Sequence, residues 1–276
     1  MASATTSMNA TTEQPRTMPP RRMEWSRAWT ALKVLIADAE RTDQVFEIID
    51  ALSGSSFERG FATFLAHPES ARLLNERPSL LATLSDRAAL EQMPAGSFGR
   101  AYADFMRAGN LTADGLVAAD QEAERNSNRP PEEVDPDLRF FGERNRDMHD
   151  LWHVLTGYGR DEAGEAANLA FTQAQLPSPG IALIVLAAAV LGPKDLTLSW
   201  PRYLYAAWRR GKRTSLLTAA AYEELLPLPL EEVRRRLGLP TASEAHPGGI
   251  LVASRIGEGR DASWSTTPSS EASRAA

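Results

Sequence analysis

His149, Asp150, His153 and Glu165 place four ligand-type side chains within seventeen positions of a 276-residue chain that has only four histidines. On an α-helix His149 and His153, four apart, project from one face, one above the other, which lets two imidazoles grip one ion. Asp150 stands beside them and can reach the same ion or orient a ligand histidine. Gly157 and Gly159 end that helix, so a tight turn can carry Glu165 back toward the pair. The set mixes nitrogen and oxygen donors and suits zinc or another divalent first-row metal. Spacing alone leaves a plainer alternative open, a chance histidine pair beside solvated carboxylates.

The rest of the chain limits what such a site can be. With no cysteine, thiolate zinc sites, iron–sulfur clusters, disulfides and cysteine nucleophiles are excluded. A formal net charge of -6 argues against nucleic acid as the partner. Composition, 43% hydrophobic and 24% charged, fits one generous core. Residues 1–23 and 251–276 are poor in large apolar side chains and read as disordered tails. The arginines at 16, 21, 22 and 27 resemble a transit peptide only weakly, because Glu13 and Glu24 interrupt them.

Between the tails, residues 24–250 read as one all-α domain of about eight to eleven helices, with the candidate metal site on a central helix-turn-helix. Trp25, Ala28, Trp29, Leu32, Leu35 and Ile36 form a first apolar stripe; Val45, Ile48, Ile49 and Leu52 form a second, stopped by Gly54. Phe57, Phe61, Phe64 and Leu65 form a third. His67, just before Pro68, reads as a capping or surface histidine, and His246 as a loop residue. Asp120 to Asp135, with Arg129-Pro130-Pro131, reads as a loop, and Asp135-Pro136-Asp137 as a helix start.

The eleven apolar residues between Gly180 and Gly192 span about 16 Å, half a bilayer's hydrocarbon thickness. They predict either a core helix or the small-residue wall of a greasy tunnel. Tyr203, Leu204, Tyr205 and Trp208 lead into Arg209-Arg210-Gly211-Lys212-Arg213, which fits an anionic membrane surface and equally a helix ending in positive charge.

These residues resemble the ubiquinone (coenzyme Q) biosynthesis proteins of the Coq-four type. The motif His-Asp-x-x-His, then eleven residues, then Glu is met by His149, Asp150, His153 and Glu165 without insertion. GRAYADFM, DPDLRFFGERNRDMHDLWHVLTGYG, Gly164-Glu165 and AAWRRGK…YEELL…VRRRLG follow in the family's order over roughly residues 70 to 240. The tails and Leu176-Pro177-Ser178-Pro179-Gly180 depart from it. The resemblance implies an all-α fold and a divalent metal, zinc or a redox-active ion such as iron, held by His149, Asp150, His153 and Glu165. It implies decarboxylation of a polyprenylated 4-hydroxybenzoate-type lipid at the ring carbon bearing the carboxylate, with Asp150 or Glu165 as proton donor.

Implied partners are that polyprenylated aromatic lipid, other ubiquinone-biosynthesis proteins and a membrane surface; nucleic acid is not among them, and a homodimer is compatible. The implied location is cytoplasmic and peripheral on the inner membrane, or the matrix face of the mitochondrial inner membrane in a eukaryote. Arg144 and Arg146 flank the site as solvated charges or as partners of a substrate carboxylate. Two alternatives stay open. One is a non-catalytic lipid-binding scaffold with a structural metal. The other is a His-Asp metal phosphohydrolase, for which His67 is the one upstream histidine available.

Overall fold

A computed structural model describes residues 22–38, 41–126, 135–192 and 199–240. The described residues form fifteen α-helices and a 3-10 turn at Leu217–Ala219; no strand forms among them beyond an isolated bridge between Ser97 and Pro229. The all-α expectation is met. The helices outnumber the expected eight to eleven because the polar stretch after Phe64 breaks into three short ones, α4 (Ser70–Glu76), α5 (Leu80–Ser85) and α6 (Arg87–Gln92). The Ser79 side chain accepts the Ala82 amide at the start of α5, and Asp86 accepts the Ala89 amide at the start of α6. The expected tails, apart from Arg22 and Met23, and His246 lie outside the described residues.

Three apolar clusters hold the helices together. The largest joins α7 (Phe98–Ala108), α10 (His149–Thr156), α11 (Glu162–Gln175), α13 (Ser199–Arg213) and the ends of α14 (Tyr222–Leu225) and α15 (Leu230–Arg236). A second packs α1 (Trp25–Ala37) and α2 (Thr42–Ala51) against Ile184 of α12 (Pro179–Leu191). In the third, Phe57, Phe61 and Phe64 of α3 (Ser56–Leu65) surround Phe141 of α9 (Pro136–Asp147), with ring centroids 5.3–5.5 Å apart. Full burial of Phe64 and Phe141 contributes about 1.5–3 kcal/mol each, so this cluster anchors the helix that leads into the site.

Several sequence expectations need correction. The stripe of α1 faces inward through Ala28, Ala31, Leu32 and the partly buried Leu35, whereas Trp25, Trp29 and Ile36 are exposed. The small side chains win that face because they let α1 approach α2 closely. Residues 120–126 are not loop but the end of α8 (Gly115–Asn126). Its Ala123 is buried, and its backbone carbonyl accepts from Arg27; residues 127–134, including Arg129-Pro130-Pro131, lie outside the described residues. The apolar α12 is neither wholly buried nor a closed wall. Gly180, Ile181 and Ile184 are buried, whereas Leu186, Val190 and Leu191 are exposed.

Candidate metal centre

Asp135 opens α9, its carboxylate accepting the Asp137 and Leu138 amides with Pro136 in the first turn, as expected. The helix breaks at Met148 and resumes as α10, whose Leu151, Trp152, Val154 and Leu155 point into the main core. Gly157 ends α10 at φ +76, a left-handed conformation that disfavours any residue with a Cβ. The last α10 carbonyls lack helical partners, and the buried Arg234 guanidinium supplies them, donating to Leu155 O and Val154 O at 2.9 Å each. Trp152 Nε1 donates to Tyr222 Oη at 2.8 Å, tying the same helix to α14.

Asp161 then starts α11 by accepting the Ala163 and Gly164 amides. A Cβ at Gly164 would lie 2.0 Å from the Gly159 carbonyl oxygen, so only glycine lets the start of α11 press onto the turn. That contact folds Glu165 back over α10.

The outcome is a convergence of His149, His153 and Glu165, whose ligand atoms all lie within 4.8 Å of one another. Glu165 Oε2 stands 3.3 Å from His153 Nε2 and 3.9 Å from His149 Nε2. Donors about 2.0–2.2 Å from a tetrahedral ion are about 3.4 Å apart, so small shifts suffice. The other nitrogen of each ring is already committed. His149 Nδ1 donates to Asp150 Oδ1 at 3.1 Å, and His153 Nδ1 donates to the Tyr158 carbonyl at 3.1 Å. Such bonds fix the tautomer and leave both Nε2 atoms as donors to an ion. His153 Nε2 is buried and faces only the Glu165 carboxylate, 3.3 Å away and poorly aligned for a hydrogen bond, so an ion between them would satisfy both. The residues therefore fit a divalent ion.

The same carboxylates that would attract an ion also attract a proton. Burial disfavours the His153 cation, yet Glu165 and Asp150 outweigh it and raise the imidazole pKa to about 9. Burial also pushes against the Glu165 and Asp150 carboxylates, but the histidines beside them hold both below the ordinary range. The Phe105 ring stacks on His153, centroids 5.7 Å apart, and the Arg160 guanidinium lies 5.0 Å from that ring's centre. His153 is fully buried, while a third of the His149 side chain and 38% of Glu165 are exposed, so the site is open on one side.

Other expected participants are placed elsewhere. Arg144, taken from its letters as a solvated charge or a substrate partner, is buried and bonded to both Glu223 carboxylate oxygens and the Ala220 carbonyl. Arg146 is held by Asp147 and Asp120. His67 Nδ1 accepts the Glu69 amide in the turn between α3 and α4, as a cap does. A hollow of about 390 Å³ lined by Arg77, Leu80, Arg139, Phe140, Arg144 and Asp147 has a mixed polar and apolar wall, and the three clustered side chains do not line it. Phe105 stands out in the sequence only as part of the bulky apolar side that Tyr102, Phe105 and Met106 give α7, and no periodicity or spacing marks Tyr158 or Arg160.

Fold and site together define an all-helical protein with a candidate centre of two imidazoles and a carboxylate. Residues 25–243 match the family described as Coenzyme Q (ubiquinone) biosynthesis protein Coq4, and the chain belongs to that family. It is 27% identical over 208 residues to the Drosophila ananassae protein "Ubiquinone biosynthesis protein COQ4 homolog, mitochondrial", covering 74% of this chain and 73% of the relative. The Yarrowia lipolytica protein "Ubiquinone biosynthesis protein COQ4, mitochondrial" is 31% identical over 177 residues, 63% of each chain. A Nostoc punctiforme crystal structure, described as a candidate ubiquinone biosynthesis protein, has the same fold, with a TM-score of 0.56 at 23% identity over 79% of this chain and 99% of that one.

Proposed function

We propose that this protein acts in ubiquinone biosynthesis as a metal-dependent carboxy-lyase on a polyprenylated 4-hydroxybenzoate-type lipid, peripheral on the membrane that holds this lipid. The observation that carries the proposal is the convergence of His149 Nε2, His153 Nε2 and Glu165 Oε2 with both Nδ1 atoms already bonded. His149, His153 and Glu165 hold the ion, and Asp150 completes the set, directly or through His149. When bound, the ion supplies Lewis acidity toward an oxygen of the substrate. Zinc confines the chemistry to loss of carbon dioxide, whereas adding a hydroxyl from dioxygen requires iron or another redox-active metal.

The carbon–carbon bond to the carboxylate breaks, carbon dioxide leaves, and the bonding pair takes a proton at the ring carbon. Asp150 and Glu165 rest ionised, their pKa values being held low. Each can therefore take a proton from water on the open side of the site and relay it to the ring carbon, leaving hydroxide to the solvent. His153, buried under Phe105, keeps bulk water from its face of the site. The partial exposure of His149 and Glu165 favours a reacting site over a closed structural one, since catalytic sites keep a position open.

The test uses the metal-loaded protein with a prenylated 4-hydroxybenzoate carrying a labelled ring carboxylate. Labelled carbon dioxide is expected from the wild type and at least ~100-fold less from Glu165→Gln. Lipid binding without gas release, under zinc and under aerobic iron alike, refutes the lyase reading and leaves a scaffold.

A further inference from the structure

The exposed side of α13 has a composition unlike the rest of this acidic chain. Its fifteen residues include five cations and no carboxylate, although the whole chain carries a formal charge of -6. Arg202, Arg209, Lys212 and Arg213 are exposed, and among the described residues none of the four enters an ion pair. Between them Tyr205 and Trp208 are also exposed, their rings stacked with centroids 5.8 Å apart. Core residues Leu204 and Ala207 hold the opposite side of the helix.

The preceding helix adds an aliphatic element. Leu186 and Val190, four apart, and Leu191 leave α12 on its outward side, with 62%, 74% and 57% exposure. Val185, Ala188 and Ala189 face the main core, and Leu183 and Ala187 face the α1–α2 cluster. The end of α12 is fastened to the start of α13 by Trp200 Nε1, which donates to the Ala188 carbonyl at 2.8 Å. Aliphatic, aromatic and cationic groups thus lie on two consecutive, joined helices. That sequence of chemistries matches the hydrocarbon edge, headgroup and phosphate layers of a bilayer.

We infer that the outward faces of α12 and α13 form a docking surface for an anionic lipid bilayer. It rests on the peripheral-membrane part of the proposed function and specifies which face does the binding. Charge decides the occupant. A second copy docking by two-fold symmetry would set one cationic helix against another, which is repulsive. Membrane phosphates neutralise the same cations. The helices lie on the surface rather than cross it: among the described residues no helix is long and apolar enough to span a membrane.

The experiment is flotation of the whole chain with vesicles of neutral phosphatidylcholine alone or with about 30% phosphatidylglycerol added to make the surface anionic. Wild type is expected to float with the anionic vesicles and to be released by salt. Each cation near such a surface contributes about fivefold, so Arg209→Ala with Lys212→Ala lowers partitioning about 25-fold. Tyr205→Ala with Trp208→Ala weakens it without changing the salt dependence. Arg107→Ala with Arg236→Ala, the same charge loss elsewhere, leaves it unchanged, and far-ultraviolet circular dichroism verifies that each variant is folded. Wild-type flotation that none of the α13 variants reduces overturns this surface while leaving membrane attachment standing. No flotation of wild type overturns both. Variants that change only the oligomeric state, read by sedimentation, assign the face to a protein contact and overturn the inference. None of these outcomes bears on metal binding or on carbon dioxide release.

Discussion

Metal binding at this site should release about one proton, from His153. Glu165 lies 3.3 Å from His153 Nε2, and the imidazole pKa is raised to about 9. At pH 7 the ring therefore holds the proton on the nitrogen that an ion must take. Displacing it two pH units below the pKa costs about 2.7 kcal/mol, so apparent affinity should climb about tenfold per pH unit from 7 to 9 and level off above. Calorimetric titration of metal into apoprotein, repeated in buffers of different ionisation enthalpy, counts the protons. About one per ion is expected at pH 7. Glu165→Gln removes the largest favourable influence on that cation, so the residual binding of this variant should release fewer protons. Affinity that stays flat between pH 7 and 9, with no proton release, refutes the reasoning.

Other consequences can be checked without a substrate. Arg234→Met keeps the buried stem but removes two charge-assisted bonds to the end of α10; urea unfolding should show a loss of about 3–5 kcal/mol, and a loss below about 1 kcal/mol refutes the clamp. Gly164→Ala puts a Cβ 2.0 Å from the Gly159 carbonyl oxygen, so the α11 start must shift. Metal affinity should fall at least ~10-fold even where the melting temperature changes by only a few degrees. The metal-free protein has a pH signature. Because the folded His153 pKa lies above its unfolded value of about 6.5, its contribution is complete below pH 6.5 and disappears as pH rises through about 9. The lowered Asp150 and Glu165 values act oppositely, their contribution being lost as pH falls through the acid range. Unfolding free energy measured from pH 5 to 10 should decline above 7 in wild type and less so in His153→Ala.

The elements around the site were legible because their signals are local. Asp135 with Pro136 marks the start of α9, Gly157 the end of α10, and the spacing of His149 and His153 their shared face. The convergence of Glu165 depends on the Gly159–Gly164 contact, visible in sequence only as glycines permitting a turn. Arg144 was misread because its partner Glu223 lies 79 residues away, and no local pattern announces a pair that distant. The end of α8 was missed because its polar surface leaves too thin an apolar stripe to separate it from a loop. In α1 periodicity supplied a face but not its direction. Trp25 and Trp29 are the larger apolar residues, yet Ala28 and Ala31 pack inward because small side chains allow close approach.

Asp150 shows where local chemistry allows two roles. Its carboxylate holds His149 Nδ1, which orients the ring whether or not the other oxygen also reaches the ion. Asp150→Asn keeps an acceptor toward His149 but removes the charge, so a modest loss of metal affinity supports the orienting role and near-complete loss supports direct ligation.

The central claim is that His149, His153 and Glu165 share one ion across the turn between α10 and α11. Elemental analysis of purified wild type, His153→Ala and Glu165→Ala, all verified as folded, tests it most directly. About one divalent metal per wild-type chain is expected, falling below about a tenth in either variant. Full metal occupancy in both folded variants contradicts the site.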